Sequence, residues 1–159
     1  MKIFGHGLRE HMQLLAPLFA LIAAVWALRL VAGAAGVPPG LVRVISVTVA
    51  SAVAVVLAAV LIHVRQFGSY PSVVMAVFLL VLWEQILIVC AIAFAILTRT
   101  QNIFLAPEFS SPRFTARQHM IGHLTFALGF DTLIGTVMGC FLFWMVRRLV
   151  PLVPGRGVQ

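Results

Sequence analysis

The sequence predicts an all-α fold, a polytopic membrane protein with an antiparallel bundle of four transmembrane helices. Of its 159 residues, 62% are hydrophobic and only 9% are charged, whereas about 25% of the residues of a soluble domain are charged. Four apolar stretches approach or exceed the length needed to cross a hydrocarbon core. A domain this small cannot bury so much apolar surface in water. The surplus must therefore face lipid, and the whole chain is predicted to form one membrane domain.

Turn signals divide the chain into its spans. The second apolar stretch contains no charge between Val44 and Ile62, and its 19 residues at a rise of about 1.5 Å each nearly cover the core of a bilayer. The Ser111-Pro112 pair has the form of an N-cap followed by a first helical residue, which predicts an interfacial helix start in the loop at 99–119. The predicted spans cover residues 12–31, 43–64, 72–98 and 120–150.

The positive charges give a preference for one orientation. The chain has eleven basic and four acidic residues, which gives a formal charge of +7. An even number of spans puts both termini on one side, together with Lys2, Arg9, Arg65, Arg147, Arg148 and Arg156. The other side carries Arg29, Arg43, Arg99, Arg113 and Arg117. The positive-inside rule then favours a bacterial cytoplasmic membrane with both termini in the cytoplasm.

The same charges bear on partners. Basic residues at the ends of apolar runs contact lipid headgroups, so nucleic acid is not a predicted partner. The expected partners are the lipid bilayer and either other membrane subunits or further copies of this chain. No cofactor is predicted, whereas bound lipid is expected.

Glu84 is the most informative single residue. It lies near the middle of the third span, where a carboxylate exposed to lipid costs several kcal/mol. It must therefore face protein or water, and Gln85 beside it is a candidate hydrogen-bond donor. Ala91 and Ala95 lie further along the same span and predict a close approach by a neighbouring helix.

Asp131 lies at a similar depth in the fourth span, because the third and fourth spans run antiparallel. His123, Gly135 and Gly139 share its helical row at intervals of four residues. Gly135 and Gly139 form a close-packing motif of membrane helices. A row of small residues in the second span is predicted to pack against them: Ser46, Ala50, Ala54 and Ala58.

The embedded polar residues have two interpretations. In the first, Glu84 and Asp131 make interhelical hydrogen bonds or dock a partner subunit. In the second they form the middle of a proton or cation path, with His123 and Arg29 near one face and His63 near the other. His123 and Asp131 are about 12 Å apart along the helix, so this path requires water between them.

Three hypotheses on function follow. The first is a non-catalytic small subunit or assembly factor of a larger membrane complex, favoured because the sequence has no phosphate-binding or hydrolase motif. The second is a small proton-coupled transporter or channel component that uses its embedded carboxylates. The third is a membrane enzyme acting on lipid with His119, His123 and Glu108. The spacing of His119 and His123 also makes them metal-ligand candidates.

Overall fold

Four long helices dominate the computed structural model, which describes residues 2–3, 6–100, 102–105 and 115–150. Within these residues four helical segments are long and apolar enough to cross a membrane: Leu8–Ala34, Pro39–Val64, Tyr70–Thr98 and Ala116–Leu149. The predicted all-α bundle of four membrane helices is confirmed, and the chain is an integral membrane protein.

The first helix begins earlier than the predicted start near residue 12. Two short strands, β1 (Lys2–Ile3) and β2 (His6–Gly7), pair antiparallel and lead directly into α1 (Leu8–Ala34). Glu10 caps this helix, because its Oε2 accepts hydrogen bonds from the Gly7 amide at 3.0 Å and from the His6 ring at 2.8 Å. A carboxylate in the first turn also interacts favourably with the helix dipole.

The second span is interrupted near its start. A short turn, α2 (Pro39–Val42), precedes a break, and the main helix α3 (Val47–Val64) begins only at Val47. The hydroxyl of Ser46 accepts a hydrogen bond from the Val49 amide at 3.3 Å. Ser46 therefore acts as an N-cap just before the helix on which Ala50, Ala54 and Ala58 lie.

The third span is α4 (Tyr70–Thr98) and the fourth is built from three segments. A first part, α5 (Ala116–Gly122), is followed by a π-helical turn (His123–Ala127) and by α6 (Leu128–Leu149). Thr115 and Gln118 form a reciprocal capping box at its start. The predicted helix start at Ser111-Pro112 lies outside the described residues.

The two central helices of the bundle are α3 and α4. They pack against each other, and each also packs against α1 and α6. The contact with α6 is close because Gly135 and Gly139 carry no side chain. An added Cβ would lie 2.9 Å from Val77 at Gly135, and 3.2 Å from both Val73 and Val77 at Gly139.

Val55 of α3 lies at the same place, 3.4 Å from the Cβ position of Gly139. We call this contact the glycine seam: Gly135, Gly139, Val55, Val73 and Val77. The seam brings the second and fourth spans together as the sequence predicted, although the nearest side chains to the glycines are valines rather than the alanine row.

Candidate functional site

A row of four hydrogen-bonded polar side chains runs from the start of the last span to the middle of the bundle. His119 Nε2 lies 3.1 Å from His123 Nε2, and His123 Nδ1 lies 2.7 Å from Gln85 Oε1. Gln85 Nε2 in turn donates to Asp131 Oδ2 at 3.1 Å. We call His119, His123, Gln85 and Asp131 the polar row.

The π-helical turn explains how two residues so far apart reach one amide. Asp131 lies eight positions after His123, which on an α-helix places them roughly 80° apart around the axis. A π-turn is wider than an α-turn, so the segment His123–Ala127 reduces this angle. Both side chains then meet Gln85, which is 1% exposed. The amide takes the place of the water that the sequence argument required between them.

The hydrogen bonds of the polar row have a consistent direction. The amide of Gln85 donates to Asp131, so its oxygen accepts from His123 Nδ1–H. A neutral His123 then has a lone pair on Nε2, which accepts from His119 Nε2–H. This assignment follows from the placement of the Gln85 amide. It makes His119, His123 and Gln85 donors toward the bundle centre and Asp131 the final acceptor.

Glu84 lies next to the inner end of this row. It is 1% exposed and is the central residue of α4. A cavity of about 140 Å³ is bordered by both carboxyl groups, Glu84 and Asp131, and by the hydroxyl-bearing Thr48 and Ser51. These two hydroxyl residues could not be predicted, because nothing in a single sequence shows which face of α3 meets Glu84.

The polar atoms at this cavity are incompletely paired within the described chain. Glu84 Oε1 and Ser51 Oγ are both buried without a hydrogen-bond partner there, although the Ser51 and Thr48 hydroxyls are near enough to interact with the carboxyl. Buried polar groups of this kind are normally satisfied by internal water, and the cavity is large enough to hold it. We therefore expect the Glu84 carboxyl to be hydrated.

Arg29 and His63, the two predicted ends of the path, are not part of the polar row. Arg29 donates to the Ile45 carbonyl at 3.2 Å and its guanidinium lies 5.3 Å from the centre of the Phe104 ring. His63 Nε2 donates to the Val150 carbonyl at 2.8 Å, at the other end of the bundle. The structure thus joins His123, Gln85 and Asp131 directly, with Glu84 beside them.

The predicted alanine positions are buried. Ala54 and Ala58 are almost fully enclosed, and Ala50, Ala91 and Ala95 are also buried. Ala91 has an additional role, because its carbonyl accepts a hydrogen bond from Asn102 Nδ2 at 2.7 Å. This bond ties the segment after α4 back to the helix.

The two histidines of the polar row do not form a larger ligand cluster. Within the described residues no group of three or more His, Cys, Asp or Glu side chains converges as a metal site would require. Glu108, the carboxylate that the sequence suggested as a neighbour, lies outside the described residues. The hypothesis of a lipid-modifying enzyme that uses Glu108 therefore stays a prediction.

Comparison with known proteins gives no further guide to this site. No protein-family model, no curated protein and no solved structure matches the chain.

Proposed function

We propose that this protein is a proton-exchanging component of a membrane transporter or channel, in which Asp131 and Glu84 take up protons from the face that carries His119. The observation that supports the proposal is the polar row itself. Its four side chains connect the first turns of the last span, through three successive hydrogen bonds, to Asp131 beside Glu84 at the bundle centre. Ionisable residues within membrane spans often belong to such relays.

The residues of the row have different parts in this proposal. Imidazole and carboxyl groups accept and release protons, so His119, His123 and Asp131 are the exchanging groups. A neutral amide does neither, so Gln85 is a positioning residue that holds His123 and Asp131 in place. Protons that reach the carboxyl pair must therefore cross the last distance through water in the cavity beside Glu84.

The proposal includes a direction. Beyond Glu84 the described bundle continues as the apolar glycine seam, so the carboxyl pair exchanges with one face only in this conformation. Membrane transporters commonly reach the opposite face through a second conformation. If the termini are cytoplasmic in a bacterial cytoplasmic membrane, as the positive charges favour, the accessible face is the external one.

The test is proton uptake into liposomes that contain the purified protein. A membrane potential drives protons inward, and a dye inside the liposomes reports the pH. We expect uptake above that of empty liposomes for the native chain, and its loss in Glu84→Gln and Asp131→Asn. Glu10→Gln makes the same chemical change at a carboxylate outside the row, and should leave uptake unchanged.

Two results would contradict the proposal. One is native protein that takes up protons no faster than Glu84→Gln. The other is an equal loss of uptake in Glu10→Gln. Each variant must first elute as a single folded species from size-exclusion chromatography in detergent.

A docking subunit of a larger complex is the second candidate. Its support is that the described residues form little besides membrane helices. The burial of Glu84 by its own chain argues against that carboxyl as the docking contact. The subunit hypothesis therefore predicts that Glu84→Gln still co-purifies with its partners from native membranes, in contrast to its loss of proton uptake.

A further inference from the structure

A second cleft lies at the other end of the bundle, where α3 and α6 end and α4 begins. Its volume is about 450 Å³. We call it the basic cleft, and its lining residues are Ile62, His63, Gln66, Gly68, Ser69, Phe143 and Arg147. None of them belongs to the polar row, so the cleft is independent of the proposed proton exchange.

The walls of the basic cleft are held in place by specific contacts. His63 is 5% exposed, and its bond to the Val150 carbonyl ties the end of α3 to the end of α6. The Phe143 ring packs edge-on against the rings of His63 and Tyr70, with centroids 6.2 and 5.2 Å away. Gly68 turns the backbone between α3 and α4 with a positive φ of 104°, a conformation that glycine adopts without steric cost.

The charge in the basic cleft is not balanced by the described part of the chain. The Arg147 guanidinium lies 5.6 Å from the centre of the Phe143 ring, and no described carboxylate forms a salt bridge with it. Glu84 and Asp131 border the cavity in the middle of the bundle and do not line the basic cleft. Glu10 is hydrogen-bonded to His6 and Gly7. Among the described residues no carboxylate complements Arg147, so its guanidinium is available to an external anion.

We propose that the basic cleft binds the phosphate of an anionic phospholipid headgroup, with Arg147 as its principal ligand. Arg147 lies in the last turn of α6, the depth at which lipid phosphates meet a membrane helix. A guanidinium binds phosphate through two parallel hydrogen bonds. Gln66 and Ser69 add neutral polar groups to the same cleft, and basic clefts between membrane helices are typical headgroup sites.

Native mass spectrometry of the full chain tests this site. The protein is purified with equal amounts of phosphatidylglycerol and phosphatidylcholine, and the ratio of the two bound lipids is measured. We expect the native chain to retain phosphatidylglycerol preferentially, and Arg147→Gln to lower that ratio about fivefold, the effect of one interfacial cation. Arg148→Gln is the matched control, since the adjacent Arg148 does not line the cleft, and should keep the native ratio.

Other outcomes overturn the proposal. Equal ratios for Arg147→Gln and native protein, or an equal fall in Arg148→Gln, would show that the cleft is not the site. If inorganic phosphate displaces phosphatidylglycerol at matched concentration, the cleft binds free phosphate instead. If Arg147→Gln does not fold, the ratio of the two lipids is measured on the native chain at low and high salt. The proposal requires the preference for phosphatidylglycerol to disappear at high salt, and a preference that persists overturns it.

Discussion

In the two halves of this bundle, α4 packs against the last span through different kinds of contact. On the His119 side, α4 meets the last span through side chains that hydrogen-bond, and four polar side chains border a cavity. On the terminal side, the same two helices meet through glycines and valines close enough that an added Cβ would collide. The proposed function assigns hydration and proton exchange to the first half, whereas apolar contacts close the second.

This difference explains how a buried carboxyl can be tolerated at the bundle centre. Helices in lipid associate through close packing and interhelical hydrogen bonds rather than through the hydrophobic effect. The glycine seam supplies the packing, which leaves the other half free to hold a hydrated, incompletely paired site. The following substitutions test whether the two halves differ as described.

The largest effect is expected from a polar residue placed in the glycine seam. Val77 and Val81 are one turn apart on α4 and both are buried, but Val81 borders the cavity whereas Val77 packs against Gly135. We expect Val77→Asn to lower the free energy of unfolding by about 2–3 kcal/mol, because its amide finds no partner. Val81→Asn should cost clearly less, since cavity water can bond to it. Unfolding in detergent measures the free energy of unfolding of both variants. Equal losses would show that the glycine seam and the cavity wall tolerate a polar side chain equally.

A methyl group added to the seam is expected to have the next largest effect. Gly135→Ala places its Cβ 2.9 Å from a Val77 methyl, and overpacking of this kind costs about 1–3 kcal/mol. Gly129→Ala on the same helix meets nothing within 4 Å and should be neutral or stabilising, because alanine favours helix. The thermal unfolding temperatures of the two variants are compared with that of the native chain. An unchanged temperature for Gly135→Ala would show that the glycine seam has room for an added methyl group.

Loss of the Gln85 amide should affect stability and proton uptake together. Gln85→Leu leaves His123 Nδ1 and Asp131 Oδ2 without their partner, at a cost of about 1 kcal/mol for hydrogen bonds between membrane helices. Trp83→Phe is the matched control. Trp83 lies on the same helix as Gln85 but outside the polar row, and the substitution removes the hydrogen bond that its indole donates to the Phe19 carbonyl. We expect similar stability in both variants but slower uptake only in Gln85→Leu. Normal uptake in that variant would exclude a positioning role.

The smallest effect is expected at the start of the last span. Thr115→Ala removes the N-cap of α5, which typically costs about 1 kcal/mol. The cost should stay local, with faster amide hydrogen exchange in Ala116–Gly122 and no change in α3. Exchange that rises equally in both helices would show that α5 and the bundle unfold as one unit.

The sequence was sufficient to predict the fold because hydropathy and length decide which stretches cross a membrane. It also identified Glu84, Gln85, Asp131 and His123 as polar groups that lipid cannot solvate. It could not predict their partners, since these depend on helix rotation. The π-helical turn at His123 and the approach of Ser51 to Glu84 arise from tertiary packing, which leaves no periodic signal in one sequence.

Infrared spectroscopy in heavy water tests most directly whether the polar half is hydrated down to Glu84. The carboxyl C=O band of Glu84 is identified by its absence in Glu84→Gln, at an acidic pH where the group is protonated. We expect this band to shift promptly when the folded protein is transferred to heavy water, and more slowly when His119 and His123 are both replaced by leucine. A band that shifts only when the protein unfolds would contradict the account.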